Sequence, residues 1–323
     1  MKIVEHTAGP VPGPGLYRMP AALYHADPAP EPSLSSSVAK ILVEQSPEHA
    51  YLAHPRLGGQ VEAGDPSRPM EIGTAAHKLI LRHGRDIVVI DAEDYRTKDA
   101  KAQRAEAYAA GHAPILRPDL DKAEALAGRI GARLADIHDC QGFGTAETEL
   151  VAIVRDRSGA WLRIMMDGFE LRGRHAVVWD VKTSDSSAAP QEIGRRIQQM
   201  SMEVQAAFYI RVVELLMPAL SGRTTFRWVF GENDPPNAVT VAQADGTALH
   251  VGQRKLALAL HRWNACLKDG KWPGYPTEII RADYPEWAAR RWEEREGTDP
   301  TVAGVDWSLA TSPFRPLDVE RAA

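Results

Sequence analysis

Apolar residues recur at three- and four-residue spacing over most of the chain, and between about 147 and 183 that rhythm gives way to strand-like runs. In LSSSVAKILVEQSPEHAYLAHP, which begins at Leu34, Ser35 or Ser36 can cap a helix that gathers Val38, Ile41 and Leu42 on one face. Pro47 either ends that helix or opens the next. Residues 57 to 70 are rich in Gly, Pro and polar side chains and read as a loop. A helix is predicted from about Glu71 to His83, where Gly73, Ala75 and Ala76 are small enough to let its backbone approach a neighbour. DIVVID (86 to 91) reads as a short strand, the charged, alanine-rich stretch 94 to 111 as an exposed helix, and 119 to 138 as a helix aligning Leu126, Ile130, Leu134 and Ile137. ETELVAIV, WLRIMMDGFEL and HAVVWDVKTS then form a three-strand meander, with the turn Asp156-Arg157-Ser158-Gly159 between the first two.

Pro190 opens a long helical region to about Met217, and the strand TTFRWVFG follows it. A last amphipathic helix, about 247 to 268, aligns Leu256, Leu260, Trp263 and Leu267, and the tail beyond Gly297 is expected to be extended. No internal repeat is present. Helix, meander, helix, strand is the order of an α/β or α+β domain, a central mixed sheet flanked by helices. Residues 1 to 32 hold seven prolines and little periodicity, so they read as an extended arm packed on a body or a neighbour. The expected organisation is this arm, a main domain over 33 to 276, and a C-terminal helix and extended tail over 277 to 323.

The 323 residues suffice for a sizeable core, and 44% hydrophobic with 25% charged is an ordinary globular balance. No apolar run reaches the roughly 18–20 residues that span a bilayer, and MKIVEHTAGPVPGPG lacks an apolar signal core, so neither membrane nor secretion is expected. Cys140 and Cys266 cannot supply a disulfide framework or a four-thiolate metal site; they read as small buried residues in a reducing cytoplasm. A net charge of −5 argues mildly against coating nucleic acid, but not against an enzyme whose lysines and arginines line one groove.

The candidate chemistry lies in the strands. Side chains two apart share a strand face. Val178, Asp180 and Lys182 therefore face one way, with Val177, Trp179 and Val181 turned to the core, and Arg163, Met165 and Asp167 share a face of the strand before. If the two strands are neighbours, Asp167 sits beside Asp180 with Lys182 one step along. Paired carboxylates repel unless a cation compensates them. A hard divalent ion does so while leaving room for a phosphate, and a nearby lysine can orient the attacking water. Asp-x-Lys alone is more often an edge-strand salt bridge on a solvated face, so other features must agree. His77 closes a Gly-x-x-x-His stretch on a slim helix, and Gln205 and Tyr209 lie four apart on one helical face.

The ordered set GTAAH, MMDG, WDVKTS and QAAFY resembles the RecB-type branch of the PD-(D/E)XK nucleases, and more narrowly the RecE-type (exodeoxyribonuclease VIII) exonucleases and their phage and prophage relatives. The likeness runs from about 15 to 276. It implies a restriction-endonuclease-like core and a magnesium site, with manganese able to substitute. His77, Asp167 and Asp180 would be ligands together with the backbone carbonyl of Val181. Lys182 would position the hydrolytic water, Thr183 would contact phosphate, and Gln205 and Tyr209 would hold the substrate strand. Met166 stands where the superfamily's proline would be. Glu149 is either a further acid near the metal or a surface-facing strand residue. The resemblance also implies 5′-to-3′ degradation of linear double-stranded DNA, a part in recombination, a single-strand annealing protein as partner, and a ring-shaped homo-oligomer. An iron–sulfur relative would need four cysteines. The alternatives are an endonuclease with the same site, which would cut closed circles, or a catalytically silent DNA-binding scaffold.

Overall fold

The computed structural model describes residues 2–59, 66–302 and 304–305. Part of the loop expected over 57 to 70, and the tail beyond 305, lie outside the described residues. The chain divides into two compact units, Met1–Tyr275 and Pro276–Ala323.

The first unit opens with strands β1 (Ile3–Glu5) and β2 (Gly15–Arg18), helix α1 (Ala21–His25) and strand β3 (Ser33–Leu34). Helix α2 (Ser36–Glu44) follows, capped by the Ser35 hydroxyl, which accepts from the Val38 N–H. Helix α3 (Pro47–Ala53) begins at the proline, with Ser46 capping it in the same way. Next come α4 (Arg68–Leu81), β4 (Ile87–Ile90), α5 (Lys98–Ala109), β5 (Ala113–Leu116) and α6 (Arg117–Asp136). A 3₁₀ stretch, His138–Thr145, leads to β6 (Leu150–Arg155), β7 (Trp161–Met166), β8 (Gly168–Arg172) and β9 (His175–Ser184). Helices α7 (Pro190–Gln199) and α8 (Met202–Leu216), strands β10 (Thr224–Glu232) and β11 (Val239–Gln243), and helix α9 (Gly246–Asp269) complete it. The second unit contains α10 (Glu286–Thr298) and a 3₁₀ turn, Pro300–Val302, so the segment just past Gly297 is not wholly extended.

Two sheets carry the first unit, ordered β1-β2-β6-β7-β3 and β11-β10-β9-β8; β4 and β5 form a small parallel pair. The second sheet is mixed, since β9 runs parallel to β10 and antiparallel to β8. Helices α4 and α6 cover one of its faces, burying Ile72, Leu126 and Ile130 against Trp179, Val181 and Val229. On the other face Val178, Phe226 and Trp228 join Phe208 of α8 and Trp263 of α9 in the larger core. The fold is thus the expected mixed α/β sheet between helices.

Several expectations are corrected. The proline-rich arm is not a separate element: β2 pairs antiparallel with β6, and Leu16, Tyr17 and Tyr24 are buried. Its periodicity was hidden because only four residues form that strand. The meander is not one sheet, because WLRIMMDGFEL breaks at Asp167 and its halves join different sheets. Both faces of β9 are buried, so Val178 lies in a core as surely as Trp179 does. The long helix from Pro190 is interrupted at Ser201, whose left-handed φ of 47° ends α7 and starts α8. On α9 the buried face carries Cys266, and Leu267 is exposed. Strands β5 and β11 were not anticipated.

Candidate active site

Asp167 is the single residue between β7 and β8, hence between the two sheets. Gly168 after it pairs with Trp179, and a Cβ there would stand 3.1 Å from the Trp179 Cβ and 3.3 Å from the Phe143 ring. The absence of a side chain thus lets the chain close on β9, and the same register continued by one residue sets Asp167 opposite Asp180. Asp167 Oδ2 accepts the Val181 N–H at 2.7 Å and lies 3.1 Å from His77 Nε2. Asp180, buried, accepts at Oδ1 from Gln205 Nε2 (2.7 Å) and Lys182 Nζ (2.9 Å). Its Oδ2 is 2.8 Å from the same ammonium but outside hydrogen-bond geometry, so it is an ion contact without a hydrogen-bond donor of its own. The three residues singled out on the strands do converge.

His77 arrives from α4, which can lie close because of Gly73: a Cβ there would meet Thr183 Oγ1 at 2.8 Å. Its Nδ1 faces Glu149 Oε1 at 3.8 Å, so the ring stands between two carboxylates. Glu149 precedes β6 rather than lying in it, and its φ of 50° is left-handed, a conformation that costs a non-glycine residue about 1–2 kcal/mol. The Thr148 hydroxyl, donating to the Leu81 carbonyl, pins the chain there to the end of α4. Thr183 lines the cleft. Gln205 and Tyr209 sit elsewhere than the sequence suggested. Both are buried behind the carboxylates, Gln205 bracing Asp180 and the Tyr209 hydroxyl donating to the Met165 carbonyl at 3.0 Å.

Burial pushes the Asp180 carboxyl up, and Lys182 only partly offsets it. For Asp167 burial acts the same way but is outweighed by His77, Lys182 and the Val181 N–H, which hold it below the usual range. Burial would lower His77, yet Asp167 and Glu149 raise it on balance. Glu149 is raised, chiefly by burial. Lys182 is raised because Asp180 and Asp167 outweigh its desolvation. Glu149, His77 and Lys182 line a cleft of about 690 Å³, with Asp167 against His77 and Asp180 against Lys182, so that charge alternates through the group. Lys78, His83 and Arg85 line the same cleft, as does His25 from the N-terminal segment, whose imidazole is lowered by burial and by Arg163 and Arg85.

Among the described residues no group of three or more His, Cys, Asp or Glu side chains is arranged to hold a metal ion. His77, Asp167 and Asp180 are therefore not a ready-made cage, because each carboxylate is engaged by a cation or an N–H donor. As donors they suit a hard divalent ion: two carboxylates, one imidazole, and a buried Asp180 oxygen with no hydrogen bond. Lys182 and Gln205, at Asp180, were placed by strand alternation and helix spacing; their hydrogen bonds to it could not be read from either.

No helix among the described residues is long and apolar enough to cross a membrane. No family model matches the chain, and no curated protein does. Among solved structures, a protein of Eubacterium rectale provisionally described as an exonuclease is similar over 85% of this chain and 94% of its own, at 12% identity and a TM-score of 0.51. Another, SSO0001, covers 58% of this chain and 84% of its own at 14% identity, and its TM-score of 0.23 carries no argument. The likeness to the Eubacterium rectale protein is one of fold.

Proposed function

We propose that this chain is a magnesium-dependent deoxyribonuclease of the PD-(D/E)XK kind, acting as a RecE-like exonuclease on linear double-stranded DNA. The observation that carries the reading is the meeting of Asp167, Asp180 and Lys182 at the seam of two sheets, beside His77, where His77 and Lys182 line a cleft. The provisional description of the Eubacterium rectale protein agrees with it.

Asp167, Asp180 and His77 would hold the ion, with the Val181 carbonyl as a further donor. Bound there, the ion would lower the pKa of a water and offset the charge that builds on the phosphoryl oxygens. Lys182, kept at Asp180 by contacts of 2.8 and 2.9 Å, supplies a fixed ammonium that can orient the attacking water or donate to a phosphoryl oxygen. Gln205 keeps one Asp180 oxygen in place while Lys182 shares its donors with substrate. Thr183, which lines the cleft, would contact a phosphate. The 5′-to-3′ direction, the annealing partner and a ring assembly rest on the sequence resemblance.

The test is digestion of end-labelled linear duplex and of closed circular DNA, with magnesium, manganese or chelator. Loss of the linear duplex with the circle intact, 5′ label released first, is expected. Asp180→Asn and Lys182→Ala should each reduce the rate by roughly 10²–10³-fold or more with the fold retained. Undiminished cleavage by both variants sinks the assignment; cutting of the circle makes the enzyme an endonuclease.

A further inference from the structure

The cleft has two unlike ends, and α4 fixes their order. Gly73 of that helix stands against Thr183, and His77, about 6 Å further along the axis, stands against Asp167. Past His77 the Lys78 ammonium donates to the Gly84 carbonyl at 2.9 Å, and Lys78, His83 and Arg85 line this end. Past Thr183 the lining is Ser184, Asp185, Ser186 and Asn233, with Pro69 and Met70 from the first turn of α4. This end has a carboxylate and no lysine or arginine in its lining. Arg196 reaches the Ser184 hydroxyl from Nη2 at 2.7 Å, but its guanidinium lies over the Phe230 ring and is not part of the cleft wall.

Asp185 is exposed, and its carboxylate is held in place. The Asn233 amide donates to its Oδ1 at 2.8 Å, and no cation among the described residues pairs with it. Asn233 is only 3% exposed, and its own Oδ1 has no partner. Its N–H donates to the Ser184 carbonyl at 3.0 Å, and the buried Asn237 amide donates to the Asn233 carbonyl at 3.0 Å. The support is therefore part of the β10–β11 connection. Local folding does not need the carboxylate. The Ser184 hydroxyl already closes the turn after β9 by accepting the Ser186 N–H at 3.2 Å, and the Asn233 N–H already ties the two strand ends. A buried amide with one atom unsatisfied costs stability, and what it secures here is an acid facing solvent.

An ionised carboxylate only accepts hydrogen bonds, and beside a phosphate it repels. A hydroxyl is its complement, and Met70, exposed at the same end, offers apolar surface to a sugar or base. We propose that Asp185 is a specificity residue: it closes this end of the cleft to a continuing phosphodiester backbone and accepts a hydrogen bond from the hydroxyl of a strand terminus. The proposal rests on the nuclease reading for DNA being the substrate. The strand then runs from its terminus at Asp185, past Lys182, toward Lys78 and Arg85.

The test measures binding apart from cleavage. The full chain is titrated in chelator, read by anisotropy, with three duplexes: hydroxyl at every terminus, phosphate on both 5′ ends, or phosphate on both 3′ ends. One phosphorylated duplex should bind on the order of ten-fold more weakly than the hydroxyl-ended one. Which of the two it is tells whether the cleft receives a 5′ or a 3′ terminus. Asp185→Asn, with the thermal midpoint showing the fold retained, should bring all three within about two-fold of one another. Equal binding of the three by the wild type, or a ratio that survives Asp185→Asn, overturns the proposal. Digestion in magnesium without such discrimination would keep the nuclease reading and remove the end site. Discrimination by a chain that leaves every duplex intact in magnesium would uphold the end site and remove the nuclease reading.

Discussion

At Asp180 two side chains compete for one oxygen, and the two residues first read as strand-holding divide there. Gln205→Leu removes the amide that holds Oδ1 and leaves Lys182 as its one donor. Loss of such a support around a ligand costs about 10–100-fold in metal affinity. The magnesium concentration giving half-maximal cleavage should rise by that factor, and an unchanged requirement would deny Gln205 the role. Tyr209→Phe removes a hydrogen bond to the Met165 carbonyl, so it should cost about 1 kcal/mol of stability in urea titration with DNA affinity unchanged. Lys182 and Asp180 were legible in the sequence because strand alternation is a local rule. The partners of Gln205 and Tyr209 were not, because they depend on how α8 docks on the seam.

Elements meet where glycine permits it. A Cβ on Gly252 of α9 would overlap the Glu203 carbonyl of α8. Alanine there gains about 1 kcal/mol of helix propensity, but overpacking against backbone costs about 1–3 kcal/mol, and a carbonyl within a helix cannot swing aside. Gly252→Ala should therefore lower stability, as the urea midpoint would report. The N-terminal segment is held otherwise. Asp27, buried, receives the Ser33 N–H and hydroxyl and lies 3.3 Å from both His54 and Arg163. Burial pushes its carboxyl up, but His54, Arg163 and Ser33 outweigh that and hold it below the usual range. A depressed carboxylate stabilises the fold above its unfolded pKa of about 3.9, and that stability is lost as pH falls through the folded value. Asp27→Asn should cost about 3–5 kcal/mol at pH 7, because it strands buried partners. It should also flatten the fall in stability below about pH 4; an equally steep fall in the variant would place the acid-sensitive group elsewhere. The helices of this unit were readable because each repeats its pattern over several turns. The arm was misread because β2 offers four residues and its partner strand lies more than 130 residues away.

Across the molecule, with a net charge of −5 and a cleft lined by Lys78, Arg85 and Lys182, the proposed DNA substrate would be attracted locally rather than globally. If four phosphates are neutralised, the salt slope is about −3.6, which weakens binding about 150-fold between 50 and 200 mM salt. A flat curve would mean that the cleft does not follow a phosphate backbone. Composition held none of this, because an average charge conceals where the cations gather.

The placement of Asp167 at one peptide between two sheets has a mechanical corollary. Together with the Glu147–Phe169 backbone bridge that residue joins the layers, so sliding of one over the other would displace its carboxylate, which works as a strain gauge on their alignment. An ion clasped by Asp167 and Asp180 would suture the layers together. Magnesium should then slow amide hydrogen exchange along β7 and β9, well beyond the residues that touch it, and Asp167→Asn should abolish that protection.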